Sequence, residues 1–99
     1  MLLQDLLYKT SVNAVNGSTA IPINALQIDS RAIQKGNCFI AIKGTGADGH
    51  SFINAAIKNG ALAIVCEEMP DKPVNNVTYI QVNDSAEAAG IMAHLFFEE

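Results

Sequence analysis

The feature that most constrains the fold is a pair of apolar runs separated by a helix-length segment. Asn37–Lys43 is strand-like, and Ala61–Cys66 is an uninterrupted apolar run. A continuous apolar run of this length is typical of a strand that is covered on both faces of its sheet. Strand, helix and strand within about 30 residues predict a β-α-β unit, in which the two strands are parallel.

Local signals mark the ends of the helix inside this unit. Ser51 is predicted to be its N-cap, since serine is favoured at that position. Gly60 lies where a residue with a left-handed backbone commonly ends a helix. The helix is predicted to bury an apolar face formed by Phe52, Ala55, Ala56 and Ile57.

Strands are predicted in two further regions. Ala25–Asp29 and Val77–Val82 have strand-like composition. Asn16-Gly17 is a turn signal between Val12–Val15 and Ser18–Ile21, which predicts a β-hairpin. Together with the β-α-β unit, these segments predict an α/β fold: a small, mostly parallel sheet flanked by helices.

Two more helices are predicted near the ends of the sequence. Leucines at helical spacing predict a short helix over residues 2–7. Asp84 followed three residues later by Glu87 resembles a capping box, and predicts a helix that runs to about Phe97.

Charge and hydropathy exclude several classes of protein. Six Lys and Arg against ten Asp and Glu give a net charge of -4. Nucleic-acid binding needs clustered positive charge, so no nucleic-acid partner is predicted. The longest apolar run, Ala61–Cys66, is far shorter than the roughly 20 residues of a membrane span. The N-terminus has no basic stretch before its apolar residues, so we predict no signal peptide, no membrane partner and a cytoplasmic location.

The two cysteines are predicted to be structural. Cys38 and Cys66 lie inside apolar runs and form no C-x-x-C motif. Free cysteines are often buried, so we expect two reduced thiols packed as small apolar side chains. No His or carboxylate stands at ligand spacing from either thiol, so no metal site is predicted.

The segment Gly44–Gly49 matches G-x-G-x-x-G and has more than one interpretation. It is a dinucleotide-binding loop if Glu67 is the acidic ligand of a ribose. Against this, a strand precedes the loop's own strand, and the third glycine falls before the helix. A P-loop is excluded because His50 stands where the phosphate-binding lysine is required. The remaining interpretation is a structural turn without a ligand.

Four elements in order resemble the N-terminal domain of the Mur ligases. They are Asp29-Ser30-Arg31 after a strand, the run from Gly36 to Gly44, Asp48-Gly49-His50 before a helix, and Gly60-Ala61 before an apolar strand. The resemblance covers essentially the whole chain. Within the family, the ligase that adds the third residue of the peptidoglycan peptide is the nearest match. The D-alanyl-D-alanine-adding ligase is the alternative.

The resemblance implies that this domain binds the uridine diphosphate end of a UDP-N-acetylmuramoyl-peptide. The implied contacts to uracil and ribose are Ile28, Ser30, Thr45, Gly46 and Ala47. Ile28 can form an apolar wall for a flat base, and the Ser30 hydroxyl offers one donor and two acceptors. The secondary candidates are Arg31, Lys43 and His50. Structural roles are expected for Asp29, which is predicted to cap a turn or pair with neighbours, and for Asp48, which is predicted to accept a bond from a nearby backbone N–H.

The resemblance also implies what residues 1–99 do not contain. ATP and magnesium are implied for the full-length enzyme, but the sequence has no G-x-x-G-K-[ST] motif to bind them. We therefore expect a single substrate-binding domain that binds no cofactor and is catalytically inactive alone. Its implied partners are the substrate and the central ATP-binding domain of the same protein. Whether that protein adds diaminopimelate or lysine stays open at this point.

Overall fold

A five-stranded sheet forms the centre of the computed structural model, which describes residues 1–44 and 47–97. The strands are β1 (Val12–Asn16), β2 (Ala25–Gln27), β3 (Asn37–Ile40), β4 (Ala63–Cys66) and β5 (Thr78–Val82). Their order across the sheet is β1-β5-β4-β3-β2. Strands β2 to β5 are parallel, and β1 is antiparallel to β5. The predicted α/β class with a mostly parallel sheet is confirmed.

Within the described residues, three α-helices and two 3₁₀ turns flank this sheet. They are α1 (Leu3–Leu6), α2 (Ile53–Lys58), α3 (Ser85–Phe97), and the 3₁₀ turns Ser30–Ala32 and Gly49–Phe52. The predicted start of α3 is confirmed, because the Glu87 N–H donates to Asp84 Oδ1 at 3.0 Å. No helix in the described parts of the chain combines the length and apolar content that crossing a bilayer requires.

The predicted β-α-β unit is confirmed as β3, α2 and β4. Phe39 of β3 aligns with Ile64 of β4 in parallel register, and every residue of both strands is buried. Gly60 ends the helical segment with φ +116°. A Cβ there would lie 2.7 Å from Lys35 Cα, so the left-handed backbone and the close approach both require glycine.

The core has one layer on each face of the sheet, because alternate residues of a strand point to opposite faces. Cys38 and Ile40 belong to the layer covered by α1 and α3. Phe39 and Cys66 belong to the layer covered by α2. Both cysteines are free and buried, as predicted. Burial raises the pKa of Cys38 to about 12 and that of Cys66 to about 11.

The predicted N-terminal hairpin is wrong. Gly17 does form a turn, with φ +115°. However, β1 pairs with β5, which lies more than 60 residues later in the sequence, and Val15 is opposite Ile80. The segment after the turn instead returns to the N-terminus, where the Leu3 N–H donates to the Ile21 carbonyl at 2.8 Å.

The predicted N-cap at Ser51 is also wrong. Asp48 caps the 3₁₀ turn Gly49–Phe52, and α2 begins only at Ile53. Because α2 starts later than predicted, different side chains of this segment face the core. Ile53 and Ala56 are buried, whereas Phe52 and Ala55 are exposed.

Candidate functional site

A cavity of about 680 Å³ opens beyond the carboxyl ends of β2 and β3, beside the start of α2. Its lining residues are Ile28, Asp29, Ser30, Arg31, Ile42, Ala47, Gly49, Phe52 and Ala55. In open α/β sheets, ligands bind in the crevice outside the carboxyl ends of the strands. The cavity is therefore at the edge of the sheet where a ligand is expected.

The cavity brings together two segments that the sequence singled out. Ile28, Ser30 and Arg31 approach it from the end of β2, and Ala47 approaches it from the glycine-rich turn. Thr45 and Gly46, the other predicted contacts, lie outside the described residues.

Lys43 and His50 are not among the described lining residues of the cavity. The Lys43 ammonium donates to Glu68 Oε1 at 3.3 Å, and this contact raises the pKa of Lys43. The His50 ring contacts Asp48 on one side and the backbone N–H groups of Glu67 and Glu68 on the other. Both side chains are directed to the loop that follows β4.

Two large apolar side chains of the cavity are open to solvent. Ile28 is 62% exposed and Phe52 is 44% exposed. Exposed apolar surface inside a concave site is characteristic of ligand-binding positions. Phe52 was predicted to lie on the core face of α2 and for that reason was not predicted as a site residue. The signal that points to its true position is Asp48, since a cap there shifts the helix start.

Ser30 is held rigidly at the base of the first segment. It is buried, and it opens the 3₁₀ turn Ser30–Ala32. Its carbonyl accepts a hydrogen bond from Asn59 Nδ2 at 3.0 Å, which ties the turn to the end of α2. The backbone of Ser30 is thus anchored to the end of α2.

Asp29 and Arg31 form a two-point ion pair at the rim, which confirms the predicted local role. Arg31 Nε and Nη2 donate to the two Asp29 carboxylate oxygens at 3.0 and 2.8 Å. The Asp29 carboxylate also accepts from the Arg31 backbone N–H at 2.9 Å. Hydrogen bonds from the Arg31 side chain, then from its backbone, lower the pKa of Asp29 to about 2. The pair thus brings no net charge to the cavity near neutral pH.

Gly49 allows the turn to lie against the end of β3. Its N–H donates to the Ile42 carbonyl at 2.9 Å. A Cβ on Gly49 would lie 2.6 Å from Ile42 N and 3.0 Å from the Ala41 carbonyl carbon. Only glycine permits this contact between two backbones.

The lining offers apolar surface, a hydroxyl, backbone groups and a neutralised ion pair. These groups can bind a ligand with a flat, uncharged part. Across residues 1–44 and 47–97, no group of three His, Cys, Asp or Glu side chains is placed to hold a metal ion.

The model of the "Mur ligase family, catalytic domain" matches residues 22–97. The chain belongs to the Mur ligase family. This assignment confirms the resemblance predicted from the four sequence elements.

Relatives in the Mur ligase family align with nearly the whole chain. It is 46% identical over 99 residues to the UDP-N-acetylmuramoyl-L-alanyl-D-glutamate--2,6-diaminopimelate ligase of Cytophaga hutchinsonii, covering 99% of this chain and 20% of that protein. It is also 46% identical over 97 residues to the ligase of the same name from Bacteroides thetaiotaomicron, covering 98% of this chain and 20% of the relative. The chain therefore spans about a fifth of the length of these relatives.

Solved structures from the Mur ligase family share the fold. MurF from Acinetobacter baumannii superposes with a TM-score of 0.78 at 26% identity, covering 98% of this chain and 21% of that one. MurF from Thermotoga maritima, solved in complex with ADP, gives a TM-score of 0.59 at 34% identity over 71% of this chain and 16% of its own.

Proposed function

We propose that this chain binds the uridine diphosphate end of UDP-N-acetylmuramoyl-dipeptide for a ligase that adds 2,6-diaminopimelate to it. The observation that carries the proposal is the cavity that joins Ile28 and Ser30 to Ala47. The names of the relatives support the substrate class, because they specify UDP-N-acetylmuramoyl-L-alanyl-D-glutamate and 2,6-diaminopimelate.

The chemistry of the cavity suits a uracil ring. Ile28 and Phe52 provide exposed apolar surface for a flat base. The Ser30 hydroxyl and the backbone near Ala47 provide donors and acceptors for its edge. Uracil is neutral, and the internally neutralised Asp29–Arg31 pair adds no net charge beside it.

For the diphosphate, Arg31 is the candidate donor at the rim, through Nη1, the guanidinium nitrogen that is not bonded to Asp29. Its side chain is 89% exposed and already oriented by Asp29. A guanidinium can bind phosphate oxygens through two parallel N–H groups. Lys43 and His50 remain secondary candidates, because their polar atoms contact the loop after β4.

The catalytic step is proposed to take place outside residues 1–99. Family membership supports an ATP-dependent ligase, and magnesium is proposed for the same enzyme. Within the proposal, this chain anchors the nucleotide end of the substrate, and the central domain of the full-length protein acts on the other end. We expect the chain alone to form no amide bond, and we propose a cytoplasmic location.

The D-alanyl-D-alanine-adding ligase is the second candidate. It is favoured by the structural similarity to MurF from Acinetobacter baumannii. The sequence favours the diaminopimelate ligase, with 46% identity against 26% and 34% for the two MurF structures. Assaying the full-length enzyme with each amine, diaminopimelate and D-alanyl-D-alanine, distinguishes the two.

A dinucleotide site at the glycine-rich turn is less well supported than the uridine site. The Asp48 carboxylate accepts from the His50 N–H at 2.9 Å, at the start of the 3₁₀ turn. A pyrophosphate needs such N–H groups free and would be repelled by this carboxylate.

The direct test is an amide-shift titration of the isotope-labelled chain with UDP-N-acetylmuramoyl-dipeptide, with NAD and ATP as controls. We expect saturable shifts in residues 28–31 and 47–50 with the uridine ligand alone. Saturable shifts with NAD, and none with the uridine ligand, would refute the proposal and favour a dinucleotide site.

Phe52→Ala and Val74→Ala form a matched pair for this titration. Both side chains are 44% exposed, but Val74 lines a separate cavity with Leu62 and Thr78. Loss of an aromatic surface under a base weakens binding by roughly tenfold or more. We therefore expect Phe52→Ala to weaken binding of the uridine ligand by that factor. Val74→Ala should leave the affinity for this ligand unchanged. Equal affinities for the two variants would contradict a base-binding role for Phe52.

A further inference from the structure

His50 lies beside the cavity but does not line it, and both of its ring nitrogens are engaged. Nδ1 lies 2.7 Å from Asp48 Oδ1. Nε2 accepts from the Glu67 N–H at 2.9 Å and from the Glu68 N–H at 3.2 Å. The imidazole thus connects the glycine-rich turn to the loop after β4.

These contacts determine the tautomer of the ring. A nitrogen that accepts from two N–H groups carries no proton, so Nε2 is the bare nitrogen. Nδ1 then carries the hydrogen and donates it to Asp48, whose carboxylate oxygen also accepts from the His50 backbone N–H. This set of contacts fits a ring that is neutral and protonated at Nδ1.

We propose that His50 is a positioning residue, whose neutral, Nδ1-protonated ring holds residues 47–49 in the shape that binds the ligand. The ligand-binding part of this inference rests on the proposed function. Asp48 lies between two lining residues, Ala47 and Gly49, so the orientation of its carboxylate affects both. The ring fixes that carboxylate on one side and is itself fixed by the Glu67 and Glu68 backbone on the other.

Protonation of the ring at Nε2 would break its connection to the loop after β4. A proton on Nε2 would point at the two N–H groups, so both hydrogen bonds to the loop would be lost. Among the described residues, the charged groups near the ring are the carboxylates of Asp48, Glu67 and Glu68 and the ammonium of Lys43. Of these, Lys43 is paired with Glu68, and the Glu67 carboxylate accepts from Ser85. None of these charges restores an acceptor for the two N–H groups.

The first experiment reads the tautomer directly. Nitrogen-15 shifts and long-range proton correlations of histidine-labelled chain separate Nδ1–H, Nε2–H and doubly protonated rings. At about pH 8, where imidazoles are generally neutral, we expect His50 to be protonated at Nδ1 alone. The ring of His94, on the exposed side of α3, gives a second signal for comparison. An Nε2-protonated His50 ring in the folded chain would overturn the proposal.

The second experiment compares affinity at about pH 8 and about pH 5.5, and the nitrogen-15 spectrum at each pH reports the protonation state of the His50 ring. Where that spectrum shows the ring of the unmodified chain doubly protonated, we expect UDP-N-acetylmuramoyl-dipeptide to bind roughly tenfold more weakly, because two hydrogen bonds are lost. His50→Gln carries a neutral amide at both pH values. It should bind more weakly than the unmodified chain at the higher pH and show no change between the two.

The pH dependence of His50→Gln distinguishes a positioning role of the ring from a general role of residue 50 in folding. If His50→Gln shows the same loss of affinity at low pH as the unmodified chain, the proposal is wrong. If the unmodified chain binds no uridine ligand at either pH, the proposed function fails instead. In that case, the tautomer and the amide shifts of residues 47–49, 67 and 68 at the two pH values still decide whether the ring holds the turn.

Discussion

Among the described glycines, Gly49 is the one at which an added Cβ would come nearest to a backbone atom. A Cβ there would lie 2.6 Å from Ile42 N and 2.9 Å from the Ile42 carbonyl oxygen. Both atoms belong to backbone, so no side-chain rotation relieves the contact. We expect Gly49→Ala to lower the free energy of unfolding by about 1–3 kcal/mol, as overpacking substitutions do. Urea denaturation followed by circular dichroism measures this change.

Gly90 provides the control for this substitution. It lies inside α3, and a Cβ there would meet nothing within 4 Å. Alanine is favoured over glycine in a helix interior by about 1 kcal/mol. Gly90→Ala should therefore raise the free energy of unfolding by up to that amount. A Gly49→Ala variant that gains stability as Gly90→Ala does would contradict the close approach at Gly49.

Phe52 shows why the site could be predicted only in part from single residues. Ile28, Ser30 and Ala47 were predicted and line the cavity. Phe52 was assigned to the core because an α-helix starting after Ser51 puts it on the apolar face. The 3₁₀ turn delays that helix to Ile53, and residue periodicity does not show such a delay.

At the scale of elements, Glu67 connects the end of β4 to the start of α3. Its Oε2 accepts from the Ser85 N–H and from the Ser85 hydroxyl, each at 2.9 Å. These bonds, the backbone one first, lower the pKa of Glu67 below its ordinary value of 4.5. The folded chain therefore binds this proton more weakly than the unfolded chain does.

The sign of the pH dependence follows from that shift. The stabilisation is fully present above pH 4.5, the ordinary pKa of the group, and is lost as the pH falls through the lowered pKa of the folded chain. We expect the unmodified chain to be more stable than Glu67→Gln at about pH 7 and to lose most of that advantage by about pH 3. Urea midpoints of the two proteins across this range measure the difference. A difference that stays constant with pH would contradict a role for the Glu67 charge.

The strand order shows which parts of the fold local signals can predict. The β3-α2-β4 unit was predicted because its strands are close in sequence and their connection fixes them as parallel. The partner of β1 was predicted wrongly, because Asn16-Gly17 indicates a turn but does not specify which strand pairs with β1. Strand β1 pairs with β5, more than 60 residues away, and that pairing depends on the assembled sheet.

At the scale of the whole molecule, the two cysteines report on the two core layers separately. Cys38 belongs to the layer under α1 and α3, and Cys66 to the layer under α2. Both thiols are buried with raised pKa values, so neither is a reactive thiolate in the folded chain. Labelling by a thiol reagent therefore requires the chain to open.

The two layers share one sheet, so we expect them to open together. Cys38 lies in β3, whose hydrogen-bonded neighbour β4 contains Cys66. Exposing either thiol disrupts the strand pair that holds the other. When opening is fast compared with labelling, each rate divided by the labelling rate of the same cysteine in the unfolded chain reports the open population, and the two ratios should be equal. Peptide-resolved mass spectrometry after timed labelling of the folded and the urea-unfolded chain measures both ratios, and a larger ratio for one cysteine would show that its layer opens independently.

The same measurement connects the cavity to the whole fold. A ligand that binds only the folded chain reduces the unfolded population by a factor of one plus its concentration divided by its Kd. With UDP-N-acetylmuramoyl-dipeptide at about 100 times its Kd, labelling of both thiols should slow by roughly 100-fold. Neither cysteine lines the cavity, so direct shielding by the ligand cannot produce this effect. Slowing at only one thiol would show that binding stabilises one layer, and would contradict a single cooperative unit.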